Sequence, residues 1–69
     1  MHLCVEIPVA KPVVEVVAMD GRKGRRIAVA RKDGEQKLIA FDGPVEVRLD
    51  QLGEMIERAA LYLDEICQA

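Results

Sequence analysis

The apolar residues of this chain change their period at Asp50. Ahead of it they recur every second residue in short runs. Behind it they fall at 52, 55, 56, 59, 60, 63, 66 and 67, the spacing of one face of a helix. A run of strands followed by one helix can bury its apolar surface in few ways, and the simplest lays the helix across the sheet. The sequence therefore predicts an α+β fold: an antiparallel β-meander of four to five strands with one C-terminal amphipathic helix packed on the sheet. Residues 1–69 read as a single small domain, without internal repeat or linker.

The strands are set off by turn chemistry. "LCVEI" (3–7) alternates loosely, and Pro8 and Pro12 bracket a connector because proline lacks a ladder donor. "VVEVVAM" (13–19) is rich in β-branched residues. "DGRKG" (20–24) offers two glycines for positive φ, and "RRIAVARK" (25–32) alternates again. Asp33-Gly34 is a hairpin signal, "QKLIAF" (36–41) returns, and Asp42-Gly43-Pro44 turns the chain into "VEVRL" (45–49), a fifth strand by its alternation. Asp50 is the expected N-cap of a helix over about 51–67, which Gly53 weakens by up to about 1 kcal/mol relative to alanine.

A two-residue loop at Asp33-Gly34 places residue 32 opposite 35. One face then carries Ile27 opposite Ala40 and Val29 opposite Leu38, and this is the face expected to receive the helix. The other carries Ala28, Ala30, Ile39 and Phe41. A sheet covered on one side alternates apolar with polar, so a second apolar face calls for a second cover. The helix has a stripe about 160° wide, yet Leu61 lies among Glu54, Glu57, Arg58 and Glu65 on its polar side. With only Phe41 and Tyr62 as aromatics, the core is aliphatic. A chain this short buries only about 60% of its unfolded surface, and small domains often make up the shortfall by association. These features predict a homodimer, with Ala28, Ala30, Ile39 and Phe41 at the interface.

Net charge is −2 but unevenly spread. Residues 1–41 hold eight basic and five acidic side chains, and residues 42–69 hold two and seven. Six of the ten cations (Arg22, Lys23, Arg25, Arg26, Arg31 and Lys32) fall within residues 19–32. Converging on one surface they would neutralise phosphates. Alternation along a strand sends Arg25 and Arg31 to one face and Arg26 and Lys32 to the other, so only Arg22, Lys23 and Arg25 or Arg26 project together. Asp20, Asp33 and Glu35 flank them, and no aromatic is interleaved to stack bases. The plain reading is a solvated hairpin whose cations discourage edge aggregation. The sharper readings are an acidic protein partner, of which the acidic helix of a second subunit is one case, or, less favoured, nucleic acid.

His2, Cys4 and Cys67 offer three soft metal ligands, but without a C-x-x-C or a second histidine the plain reading of Cys4 is a small apolar strand residue. No cofactor and no metal are expected. Serine and threonine are missing from the chain, and no nucleophile and base can be paired, so catalysis is not expected. The glycines of "DGRKG" are not a phosphate loop, since the lysine precedes the second glycine and no Ser or Thr follows. No apolar stretch reaches the roughly 20 residues of a membrane-spanning helix, and the first residues lack a secretory pattern. A cytoplasmic protein with reduced thiols is the expectation, in preference to a Cys4–Cys67 disulfide.

"VEVVAMDGRKGRRIAVA" followed by "VEVRLDQLGEMIERA" resembles the carbon-storage-regulator RNA-binding proteins. The resemblance covers a strand, a glycine turn, a strand, and a helix entered from a Val-rich segment, and implies a short-stranded dimer. The basic first strand of that family is missing, since "MHLCVEIPV" has no Arg or Lys, and residues 31–43 stand as an insertion, so no RNA-contacting residue is carried over. The function expected from the residues is a small non-catalytic protein-binding module. On its size and its want of active-site residues it suits an accessory protein of a phage or other mobile element that inhibits or redirects a host protein. Its binding residues are expected at Arg22, Lys23, Arg25 and Arg26 and at Leu61 and Tyr62 on the outer helix face, where Arg and Tyr are frequent hot-spot residues. The alternative is a nucleic-acid-binding regulator using the 22–26 loop.

Overall fold

The structure, a computed structural model, describes residues 2–9 and 12–67. Four strands, β1 (His2–Glu6), β2 (Val13–Asp20), β3 (Lys23–Asp33) and β4 (Gln36–Phe41), form one antiparallel sheet in the order β1-β2-β3-β4, and α1 (Leu49–Ile66) packs on it. This is the α+β meander with a C-terminal helix that the change of period predicts.

The fifth strand does not form. Residues 44–48 are irregular, and Asp42, whose N–H donates to the Ile27 carbonyl at 2.8 Å, makes the last bond beside β3. The alternation of "VEVRL" is nevertheless real. Val45 and Val47 pack against the core while Glu46 and Arg48 stay exposed. Period two reports burial on one side, which a connector crossing the sheet can have without a pairing partner. The helix begins two residues early, and its N-cap is Arg48, not Asp50. Asp50 lies within the first turn, where its Oδ1 accepts from the Gln51 N–H at 2.9 Å and its Oδ2 from Arg48 Nη2 at 2.6 Å. A carboxylate there favours the positive end of the helix dipole even without capping.

The β3–β4 loop is Gly34-Glu35, not Asp33-Gly34, with Asp33 opposite Gln36 and Val29 opposite Ala40. Gly34 has φ 63° and no non-glycine residue described has positive φ. The turn thus needs a left-handed residue only at its first loop position, where glycine is favoured. Lys23 pairs with Asp20 around a matching Gly21-Arg22 loop, Gly21 also at φ 63°. Gly24, the second glycine of "DGRKG", is not left-handed. It lies in β3, where an added Cβ would come within 2.7 Å of Met19 Sδ.

The expected β3–β4 register is off by two residues. An even slip leaves side chains on their own faces, so the assignments of residues 28–32 and 36–41 to the two faces survive. What changes is which face the helix takes. It covers Val14, Val16 and Ala18 of β2 and Ala28 and Ala30 of β3, and leaves open the face carrying Glu15 and Val29. Three alanines on the covered face allow close approach, and Glu15 in the middle of β2 would have been buried by the opposite choice. Ile27 joins the covered side through a bulge. Val16 pairs with Ala28 and Val17 with Arg26, which leaves Ile27 as the extra residue, buried beside Ala28. On the helix, Met55, Ala59 and Leu63 are fully buried, and Leu52, Tyr62 and Ile66 flank them.

Candidate functional site

The bulge decides where the cations point. Beyond Ile27 the alternation of β3 is reversed, so Arg25, paired with Ala18, lies on the helix side and Arg26, paired with Val17, on the open side with Val29 and Arg31. This swaps the faces expected for Arg25 and Arg26. Arg26 is engaged on the open face: its Nε donates to Asp42 Oδ2 at 2.9 Å and its Nη1 meets Glu15 Oε2 at 3.4 Å. The hydrogen bond to Asp42, reinforced by the charges of Asp42 and Glu15, holds the guanidinium above its ordinary range. Lys32 and Lys37 converge on Asp64 of α1 at 3.6 and 2.8 Å. The hydrogen bond from Lys37, and the charge of both lysines, holds the Asp64 carboxyl below its ordinary range.

Of the six clustered cations, Arg26 and Lys32 are therefore satisfied within the molecule. Among the described residues Arg22, Lys23, Arg25 and Arg31 form no ion pair and are exposed. Arg22, Lys23 and Arg25 remain together at the β2–β3 turn, one end of the sheet.

The structure separates the two groups of apolar candidates. Ala28 and Ala30, expected at an intersubunit contact, are 0% and 4% exposed beneath α1, so the second face they mark is covered by the chain's own helix. Ile39 and Phe41 share that face by register but are 38% and 45% exposed, because α1 packs on β1, β2 and β3 rather than on β4. Leu61 is exposed on the outer side of α1, whereas Tyr62 packs against the Val14–Ala30–Ala59–Leu63 cluster, so the two do not form one surface.

An apolar groove runs between β4 and α1, lined by Ala30, Ile39, Ile56, Ala59, Ala60 and Leu63. Lys37 lines it too, and its ion pair with Asp64 ties β4 to the helix there. Ile56, on the flank of the helical stripe, is 47% exposed, although the stripe alone assigns it to the core. It is the member of this surface that sequence reasoning missed. The signal for it is the breadth of the stripe, wider than a single sheet contact fills.

Chemistry at other points is sparse. Among the described residues no group of three His, Cys, Asp or Glu is placed to hold a metal, no polar or charged residue is buried, and no helix is long and apolar enough to cross a membrane. Cys4 lies in β1 opposite Val17 and Cys67 caps the end of α1, both half-buried thiols without a disulfide. The chain matches no family model, no curated protein and no solved structure.

Proposed function

We propose that this protein is a non-catalytic protein-binding module that assembles as a homodimer through its β4 side and presents the basic β2–β3 turn to an acidic protein surface. The observation that carries this reading is the apolar band of Ile39, Phe41 and Ile56, exposed along one side of a molecule whose other strands lie beneath the helix. Contiguous exposed apolar surface of this kind marks interaction sites. Arg22, Lys23 and Arg25 lie at the end of the sheet and have no carboxylate of their own among the described residues, which leaves them available for steering a partner of opposite charge. An accessory protein that redirects a larger protein by occupying its surface fits such an arrangement.

Sedimentation velocity over a wide concentration range tests the first half. A concentration-dependent dimer supports it, and a monomer at the highest concentration overturns it. For the second half, binding is measured to a polyglutamate peptide and to single-stranded DNA and RNA oligonucleotides across a salt series. Retention of the peptide, lost in Arg22→Glu/Arg25→Glu, supports an acidic protein partner. Tight oligonucleotide binding with a steep salt slope replaces that partner with nucleic acid.

A further inference from the structure

The backbone of β4 specifies how a second copy is held. Asp42 N–H bonds to the Ile27 carbonyl, and Asp33 pairs with Gln36 around the two-residue loop. In an antiparallel ladder hydrogen-bonded positions alternate. Residues 36, 38, 40 and 42 therefore direct their N–H and C=O groups to β3, and 37, 39 and 41 direct theirs outward, where the sheet ends. All six β4 residues are exposed, so those outward groups form an open edge about 17 Å long.

Sheet edges are normally guarded by charge, proline or a bulge. The opposite edge, β1, ends in Glu6 with Pro8 just beyond it, and Leu3 and Val5 pack into the core. β4 has no proline and no irregularity in its pairing with β3. Its one charged side chain is Lys37, and that amine is held over the sheet by Asp64 at 2.8 Å instead of standing past the edge. The ion pair withdraws the guard from the strand that most needs one.

We infer that β4 pairs antiparallel with β4 of a second copy of this chain, about a twofold axis through Ile39, to form a continuous eight-stranded sheet. This rests on the homodimer reading above and specifies its surface. Symmetry limits the register. A twofold axis perpendicular to the sheet keeps each residue on its own face, so a residue meets only partners of the same parity. Among those registers, the one centred on Ile39 overlaps residues 37–41 of both strands, the longest run that β4 provides at outward-bonding positions. It sets Ile39 against the partner's Ile39, Lys37 against the partner's Phe41, and Leu38 against the partner's Ala40. The three outward pairs exchange about six hydrogen bonds. The aliphatic stem of Lys37 lies along the partner's Phe41 ring, and no like charges face each other. The identity of the partner follows from this self-match: the strand that completes Ile39 and Phe41 is their own copy.

The alternation gives a test on the unaltered protein. Hydrogen exchange is followed residue by residue at two concentrations, above and below the dimer dissociation constant found by sedimentation. Amides of 38 and 40 are expected to stay protected at both, since they bond to β3. Amides of 37, 39 and 41 are expected to be protected only in the dimer. Odd-numbered amides that exchange fast while the protein sediments as a dimer overturn the strand pairing and leave the homodimer standing on another surface. A protein that never dimerises overturns both. Ile39→Pro supplies the second arm. It deletes an outward N–H that β3 does not use, so the circular dichroism of the monomer is retained. Dimer affinity falls at least about tenfold, the effect of one hydrogen bond lost from each copy. A folded Ile39→Pro protein that dimerises with unchanged affinity refutes the pairing.

Discussion

β1 and β4 are both edge strands of the same sheet, yet they end in opposite conditions. Leu3 and Val5 of β1 pack against the core beneath α1, while every residue of β4 is exposed. The difference is geometric. A helix with its side chains is about 10–12 Å across, and strands lie about 4.8 Å apart, so one helix covers two to three strands of a four-stranded sheet and one edge must stay open. Which edge is a matter of side-chain size. Ala28, Ala30 and Ala59 let α1 settle close over β3 and β2, and Val5 fills the β1 side. The apolar residues left over, Ile39, Phe41 and Ile56, then collect on the side that the helix does not reach. In this protein the exposed apolar band is what the packing of the core leaves behind.

The contrast is broken most severely by truncating the covered side. Leu63 is buried against Val14 and Ala30, and Leu63→Ala is expected to cost about 2–5 kcal/mol. At roughly 0.05–0.15 kcal/mol per residue, that is a large share of the stability of so small a domain. Ile39→Ala, measured by urea unfolding at a concentration where the protein is monomeric, is expected to cost about 0.5 kcal/mol or less. Equal losses from the two substitutions would show that β4 is as well covered as β1. An intermediate effect is expected from Ala30→Leu, which overfills the space beneath α1 and costs about 1–3 kcal/mol. If the helix yields by moving off the sheet, Leu3 and Val5 should become as accessible to solvent as Ile39.

The sequence made the strands, the helix and their order legible because each is a statement about local period. The placement of the helix was not, and the reasons lie in particular residues. Pairing only residues 25–41 weighed Ile27 and Val29 against Ala28 and Ala30, and large apolar residues look like the better core. Extending the pairing to β2 brings in Glu15, which shares the face of Val29 and cannot be covered cheaply. The bulge at Ile27 was not legible at all. No glycine or proline marks it, and it follows from the need to put both Ile27 and Ala28 under one helix. Without the bulge, simple alternation sends Arg25 and Arg26 to each other's faces. Tyr62 is expected on the outer helix face with Leu61, yet its angle, at the margin of the stripe, lies nearer the core, where it packs. Ile39 and Phe41 stay uncovered because an aliphatic hairpin with two apolar faces has more surface than one helix hides.

A smaller effect comes from the turn that positions β4. Gly34 occupies left-handed space at φ 63°, and no heavy atom lies within 4 Å of where a Cβ would stand. Gly34→Ala therefore meets backbone strain without a clash, at about 1–2 kcal/mol. The strain is confined to the β3–β4 hairpin, so hydrogen exchange should quicken in β4 while β1 keeps its rate. A uniform loss across both edges would mean that the two strands unfold as one unit and that the difference between them is one of exposure alone.

The mildest perturbation acts on the ion pair that restrains Lys37. Asp64 is held below its ordinary value of 3.8, first by the hydrogen bond from Lys37, which outweighs the opposing cost of burial, and then by the charges of Lys37 and Lys32. A carboxyl whose folded pKa is depressed lends stability above its unfolded value and loses it as pH falls through the folded one. The contribution of Asp64 is therefore complete at neutral pH, and it disappears only below about pH 4, between the unfolded value and the lower folded one. Asp64→Asn removes it, so the variant should be slightly less stable than the parent at neutral pH, as befits an exposed pair, and equal to it in acid, which flattens the acid limb of the stability curve. The same substitution frees the Lys37 amine. If that amine guards the edge once released, Asp64→Asn should weaken self-association at neutral pH, and Lys37→Met in the same background should restore it. Self-association that ignores both changes would mean that the charge on β4 has no part in keeping its edge open.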